Sequence, residues 1–140
     1  MLRAILFSAV LAVGSAEAAS FELRLDTPCE GASKPYLLQG TSHEHCLAPE
    51  KVFDAAGVVR VQRYPVIAKA IVDITPDATE KLLKATTDVD GKGIGVLFNE
   101  KLIFFAPVHD PLKLEKLILT LNNAPDEVDA LVAAFPGQSS

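Results

Sequence analysis

Two apolar runs, Lys92 to Phe98 and Lys101 to Pro107, flank Asn99-Glu100 and read as a β-hairpin. With those two residues as the loop, Phe98 opposes Lys101, Val96 opposes Ile103 and Gly95 opposes Phe104. Phe104 is then expected over the bare backbone of Gly95, where an aromatic ring offsets a glycine's lost packing. Ile94, Val96, Ile103 and Phe105 fall on one face, and Leu97, Leu102 and Phe104 on the other. Both faces are apolar, so the hairpin must sit centrally in a sheet that is covered on each side. On that reading the run Leu102-Ile103-Phe104-Phe105 is core; with one face open it would line an apolar groove for a partner. Glu100 is the one awkward residue, because a tight two-residue turn prefers glycine there.

The rest of the chain supplies further strands and helices for that sheet. Phe21 to Asp26 alternates apolar and charged residues, the pattern of a strand with one wet face. Tyr36-Leu37-Leu38 predicts a short second strand. Pro49 suits the first turn of a helix containing Val52, Phe53 and Ala56, with Gly57 as its stop. Ala48 would be its cap, and Leu47 and Val52 its hydrophobic staple. Strands are expected from Val58 to Tyr64 and from Ile67 to Ile74. Thr75-Pro76-Asp77 then opens a second helix: Thr75 caps, Pro76 takes the first helical position and Asp77 meets the positive end of the dipole. Ala78, Leu82 and Ala85 share a face of it, and Asp88-Val89-Asp90-Gly91 ends it. Leu114 to Leu121 fits strand or helix, with a short strand favoured. Val128, Leu131, Val132 and Phe135 place a last helix at i, i+3, i+4 and i+7, with Asn123 as its cap. The sum is one α+β domain, a mainly antiparallel sheet with about three helices.

The amino terminus has the layout of a secretory leader. Arg3 precedes the apolar run Ala4 to Val13, Gly14 and Ser15 break it, and Ala16-Glu17-Ala18 is a small-x-small cleavage site. The run is too short to cross a bilayer, which takes about 20 apolar residues. Residues 1–18 are therefore expected to be a signal peptide and 19–140 a single periplasmic domain with no membrane span. Export gives Cys29 and Cys46 a meaning, because a lone pair of thiols in an oxidising compartment is expected to form a disulfide. The segment between them holds Gly31, Ser33, Pro35, Gly40, Thr41 and Ser42, so a covalent staple has work to do there.

Composition excludes several functions. The 140 residues are 49% hydrophobic and only 22% charged, too apolar for disorder. A net charge of −5 argues against nucleic acid. His43-Glu44-His45-Cys46, with His109 in reserve, is the densest group of potential metal ligands. A bridged Cys46 offers no thiolate, however, so an exposed loop beside a disulfide is the favoured reading and no metal or cofactor is expected. Asp88 and Asp90 before Gly91 lack the spacing of a calcium loop. Gly91-Lys92-Gly93 enters a strand, where a phosphate loop would enter a helix. There is no Gly-x-Ser-x-Gly elbow, and Ser20, Ser33, Ser42, Ser139 and Ser140 lie in loops or termini. No catalytic residue is indicated, and the chain is expected not to be an enzyme.

One stretch has a familiar order. Ala70-Ile71-Val72-Asp73-Ile74 runs into the capped helix at Thr75-Pro76-Asp77-Ala78; Leu82, Thr86 and Gly91-Lys92 follow, then Ile94 to Phe98, a tight turn and Phe105-Ala106-Pro107-Val108. This resembles the head subdomain of the first periplasmic domain of SecD, the protein-export subunit. Tyr36-Leu37-Leu38 and the closing helix Asp126 to Phe135 fit the same order, so the resemblance spans about residues 36–135. The chain departs from the family at Asp77, at Asn99-Glu100 and in lacking glycines between Pro107 and the last helix. It also lacks the membrane segments that carry proton coupling. The resemblance implies a free-standing periplasmic module that binds protein or peptide, linked to export or envelope quality control, and transfers no site residue. An inhibitor or immunity-type protein acting on an envelope enzyme is the alternative that size, acidity, leader and cysteines equally suit.

Overall fold

The computed structural model describes residues 19–64, 68–87 and 92–137. The expected leader, residues 65–67 with the expected strand start at Ile67, residues 88–91 where a helix end was expected, and the last three residues lie outside them. Among the described residues eight strands form two antiparallel sheets. β1 (Phe21–Asp26), β2 (Lys34–Leu37), β3 (Glu44–Asp54), β6 (Gly93–Phe98) and β7 (Lys101–Pro107) make a five-stranded sheet in the order β2-β3-β1-β6-β7. β4 (Val58–Arg63), β5 (Lys69–Ile74) and β8 (Lys116–Thr120) make a three-stranded sheet in the order β4-β5-β8. The helices are α1 (Pro76–Thr86) and α2 (Asp126–Ala134), with a 3-10 turn at Ala55–Gly57.

The main core lies where the sheets and helices meet. Phe21 and Leu23 of β1, Val96 and Phe98 of β6, Val72 of β5, Leu119 of β8, Leu82 of α1 and Leu131 of α2 are buried in one cluster. Burying side chains of this size stabilises the fold by roughly 1.5–3 kcal/mol each before entropy is counted. Helix α1 begins as its local chemistry dictates: the Thr75 hydroxyl accepts the Ala78 N–H at 3.1 Å, and Pro76 needs no partner. Buried Thr86 donates to Leu82 O at 2.8 Å and accepts from Leu112 N at 2.8 Å, which ties the segment after β7 to the helix.

Several expectations need correction. The segment carrying Pro49, Val52, Phe53 and Ala56 is the long strand β3 followed by a 3-10 turn, so two α-helices are described where about three were expected. Proline survives in β3 because the pairing with β1 slips twice, from Leu23↔Phe53 to Arg24↔Lys51 to Asp26↔Leu47, leaving Pro49 at an irregularity where no N–H is required. Arg24 Nη1 donates to Ala48 O at 3.0 Å and Pro49 O at 2.8 Å, satisfying the carbonyls that the slip frees. Gly57 ends the 3-10 turn, packed against Phe53 and Ala78. Asn123 does not cap the last helix; α2 starts after Pro125.

The hairpin forms with its turn at Asn99-Glu100, both at positive φ (50° and 69°), but its register differs from the expected one. Phe98↔Lys101 and Leu97↔Leu102 pair, then Val96 pairs with Phe104 and Gly95 with Phe105. Ile103 is the extra residue of a bulge, which exchanges the faces of everything beyond it. Phe104 therefore packs on the main core with Val96, while Phe105 joins Leu97 and Leu102 on the opposite face. There it is the Phe105 ring that lies against a glycine, Gly93, rather than Phe104 on Gly95. Only β6 is interior; β7 borders the sheet. Its edge is still engaged, because Gln39 N donates to Leu102 O at 2.9 Å and Leu38 bridges Leu102. The two borders of the five-stranded sheet thus meet at one point, over a second small core of Leu47, Leu97 and Leu102.

Candidate protein-binding surface

The three-stranded sheet places alternate residues on opposite faces, as the period of a strand requires. Val61 of β4, Ala70, Val72 and Ile74 of β5, and Leu117 and Leu119 of β8 point into the main core. The intervening residues form three rows across the outer face. Arg60 opposes Asp73, which opposes Lys116; Gln62 opposes Ile71, which opposes Ile118; Lys69 opposes Thr120. Gly137 lies against the Arg60 side chain at one end of the rows, and at the other end Ile118 is 54% exposed.

Asp73 is the hub of the polar row. It accepts Arg60 Nε at 2.8 Å, Lys116 Nζ at 3.0 Å and Gln62 Nε2 at 3.3 Å, and its side chain is only 14% exposed. The Arg60 guanidinium, helped by Lys116 and Gln62, holds its carboxyl below the ordinary value of 3.8, against the opposing effect of burial. Its contribution to stability is therefore complete above the unfolded value and disappears as pH falls through the lower folded one. Asp73→Asn is expected to cost about 1 kcal/mol at neutral pH. Urea titrations should show the two proteins converging as the medium is acidified below pH 3.8, and a gap that persisted there would contradict the assignment. Because Asp73 is the one acidic residue in these rows and Arg60, Lys69 and Lys116 are basic, the face is net positive on a chain of net charge −5.

The structure distributes the residues singled out from sequence as follows. Cys29 and Cys46 are disulfide-bonded, with Cα atoms 5.3 Å apart, joining the segment before β2 to β3 in the five-stranded sheet. His45 stacks on Phe105, ring centroids 3.7 Å apart, while the His43 backbone closes a turn with Thr41 and Leu38. His109 lies beyond β7. Among the described residues no three His, Cys, Asp or Glu side chains converge into a ligand set. Asp88, Asp90 and Gly91 lie outside the described residues; Lys92 uses its backbone carbonyl to accept Val108 N at 2.6 Å at the mouth of the hairpin. Leu102 and Ile103 are buried and Phe104 and Phe105 half-buried, so that run is core on both faces, and it opens no groove.

The sequence reading missed the outer face. Its signal was present in the alternation of Lys116, Ile118 and Thr120 with Leu117 and Leu119. Nothing local, however, says that β8 pairs with β5 across more than forty residues of chain.

Comparison with solved structures places the architecture. No family model and no curated protein sequence matches the chain. In three dimensions it is similar to the crystal structure of SecDF in its super-membrane-facing form, with a TM-score of 0.60 and 14% identity over 84% of this chain. That match spans 19% of the SecDF chain, about a fifth of its length. A second structure, of SecDF as a membrane component that enhances protein export, matches with a TM-score of 0.62 and 12% identity, over 93% of this chain and 70% of that one. The fold is thus α+β and SecD-like, as the sequence resemblance implied. No described helix is long and apolar enough to cross a membrane.

Proposed function

We propose that this protein is an exported, non-enzymatic periplasmic module that binds polypeptide in the cell envelope, in protein export or envelope quality control. The observation that carries the reading is the likeness of nearly the whole described fold to SecDF, a component that enhances protein export. The leader-like residues 1–18 and the bonded Cys29–Cys46 pair support the compartment, since such bonds persist where the surroundings are oxidising. The outer face of the three-stranded sheet supports binding: an exposed isoleucine within a charged rim is the composition of a contact surface.

The test is titration of the purified protein with a permanently unfolded, carboxymethylated polypeptide, followed by fluorescence anisotropy, beside a pull-down from periplasm. Saturable binding to the unfolded chain and none to its native form is the expected result. Recovery of one folded enzyme at equal stoichiometry, with no affinity for the unfolded chain, would replace this reading by that of an envelope inhibitor.

A further inference from the structure

We infer that the free edge of β8 is a docking site for an extended polypeptide segment that carries an apolar side chain flanked at two residues' distance by acidic ones. The inference deepens the polypeptide-binding reading and names its site. In an antiparallel pair, residues alternate between those that exchange both backbone hydrogen bonds with their partner and those whose N–H and C=O point away. Ile74 N donates to Glu115 O at 3.1 Å and Leu121 N donates to Ala68 O at 2.7 Å, so the odd-numbered residues of β8 are the ones bonded to β5. The N–H and C=O groups of Lys116, Ile118 and Thr120 therefore point to the other side. There β8 has no strand neighbour, and no described group is bonded to them.

The opposite edge of this sheet is not equivalent. β4 is engaged by the end of the chain, with Val61 N donating to Phe135 O at 2.8 Å and Gly137 against Arg60. Among the described residues the β8 edge carries no backbone bond on its outer side, and the chemistry that completes such a ladder is another extended backbone.

The side chains say what that backbone should carry. Lys116, Ile118 and Thr120 share the outer face, so a strand added antiparallel places a side chain opposite each. The central one meets Ile118, already 54% exposed and continuous with Ile71. The one opposite Lys116 meets an ammonium group, and the one opposite Thr120 continues the row that holds Lys69, about two strand spacings from it. Acidic residues at these two positions are complementary to a face whose one carboxylate, Asp73, is already held by Arg60 and Lys116. A second copy of this chain would bring the same net positive face to the edge, so charge disfavours self-association there.

The probe is a labelled nine-residue peptide with valine at its centre, glutamate two positions to each side and threonine elsewhere. Anisotropy at low salt should show saturable binding, weakened about tenfold when lysine replaces both glutamates. Ile118→Pro removes an N–H that β5 does not use, so the sheet is retained while the outward ladder is broken. It should weaken the peptide by about tenfold or more, and Ile118→Thr, which keeps a β-branched strand residue, by a few-fold. Circular dichroism checks that both variants keep the fold. Equal affinity in wild type and both variants overturns the edge assignment. If the carboxymethylated polypeptide binds and the peptide does not, this inference fails and the broader reading stands; if neither binds, both fail. Sedimentation showing a dimer that Ile118→Pro dissolves would give the edge to a second copy and overturn the proposal.

Discussion

Gly40→Ala is expected to lose about 3–4 kcal/mol of stability, the largest effect of any single methyl in the described structure. Two costs combine. Gly40 sits at φ +79°, which strains any residue with a Cβ, and that Cβ would collide with Asn123 O and lie 2.7 Å from Asn123 C. Both obstacles are backbone, so no side-chain rotation relieves them. Neither segment is free to retreat. Gln39, next to Gly40, donates to Leu102 O where the borders of the five-stranded sheet meet. On the other side, Leu121 N donates to Ala68 O and Ala124 N to Leu121 O, fixing the entry to α2. Gly31 is the internal control: its φ is +59° with nothing within 4 Å of an added Cβ, so Gly31→Ala carries the dihedral cost alone, about 1 kcal/mol. Urea denaturation of both variants separates the two costs. Equal losses would mean that the close approach to Asn123 does not matter.

Removal of the disulfide, as the double variant Cys29→Ala/Cys46→Ala, is expected to cost about 3 kcal/mol. The bond closes a loop of 17 residues in sequence separation, and the chain-entropy argument for a loop of that length yields this magnitude. Within it β2 pairs with β3 and Gln39 N reaches Leu102 O, but the stretch from Cys29 to Ser33 has little else to hold it. Around Cys29 the bonds are local: Ser33 Oγ donates to Pro28 O and Glu30 O and accepts Glu30 N. Beyond them, Thr27 N reaches Cys46 O at 3.0 Å. Alanine avoids leaving a hydroxyl where Cys46, 4% exposed, is buried. Reduced wild type should match the double variant in chemical denaturation. A loss below about 0.5 kcal/mol would show that β2–β3 pairing alone orders the segment.

Legibility in the sequence followed the range of the interaction involved. The start of α1 was readable because Thr75, Pro76 and Asp77 act within one turn, and the structure uses them in those roles. β1 was readable from its alternation, and the hairpin from two apolar runs about a two-residue turn. Even the awkward Glu100 adopts a left-handed conformation, in a turn that Asn99 pins by accepting Ser20 N and donating to Ser20 O. Pro49 and Gly57 misled because the same residues that open and close a helix also suit an irregular strand and a 3-10 turn. Which of the two forms depended on Arg24, a residue of another strand, reaching the freed carbonyls.

The candidate surface shows the same division more sharply. The alternating pattern of β5 and β8 sorts inner from outer residues without any knowledge of their neighbours, because side-chain direction in a strand is a local property. That Arg60, Asp73 and Lys116 form one cluster, and that β8 is the strand left with an open edge, depends on which strands pair. The extra residue at Ile103 is of the same kind: it exchanged Phe104 and Phe105 between faces without altering either run's apolar character. Caps, turns and alternation are encoded within a few residues of one another, so the chain's own order carries them. Register, strand order and the free edge arise from contacts between segments far apart in sequence, and they exist only once those segments have packed.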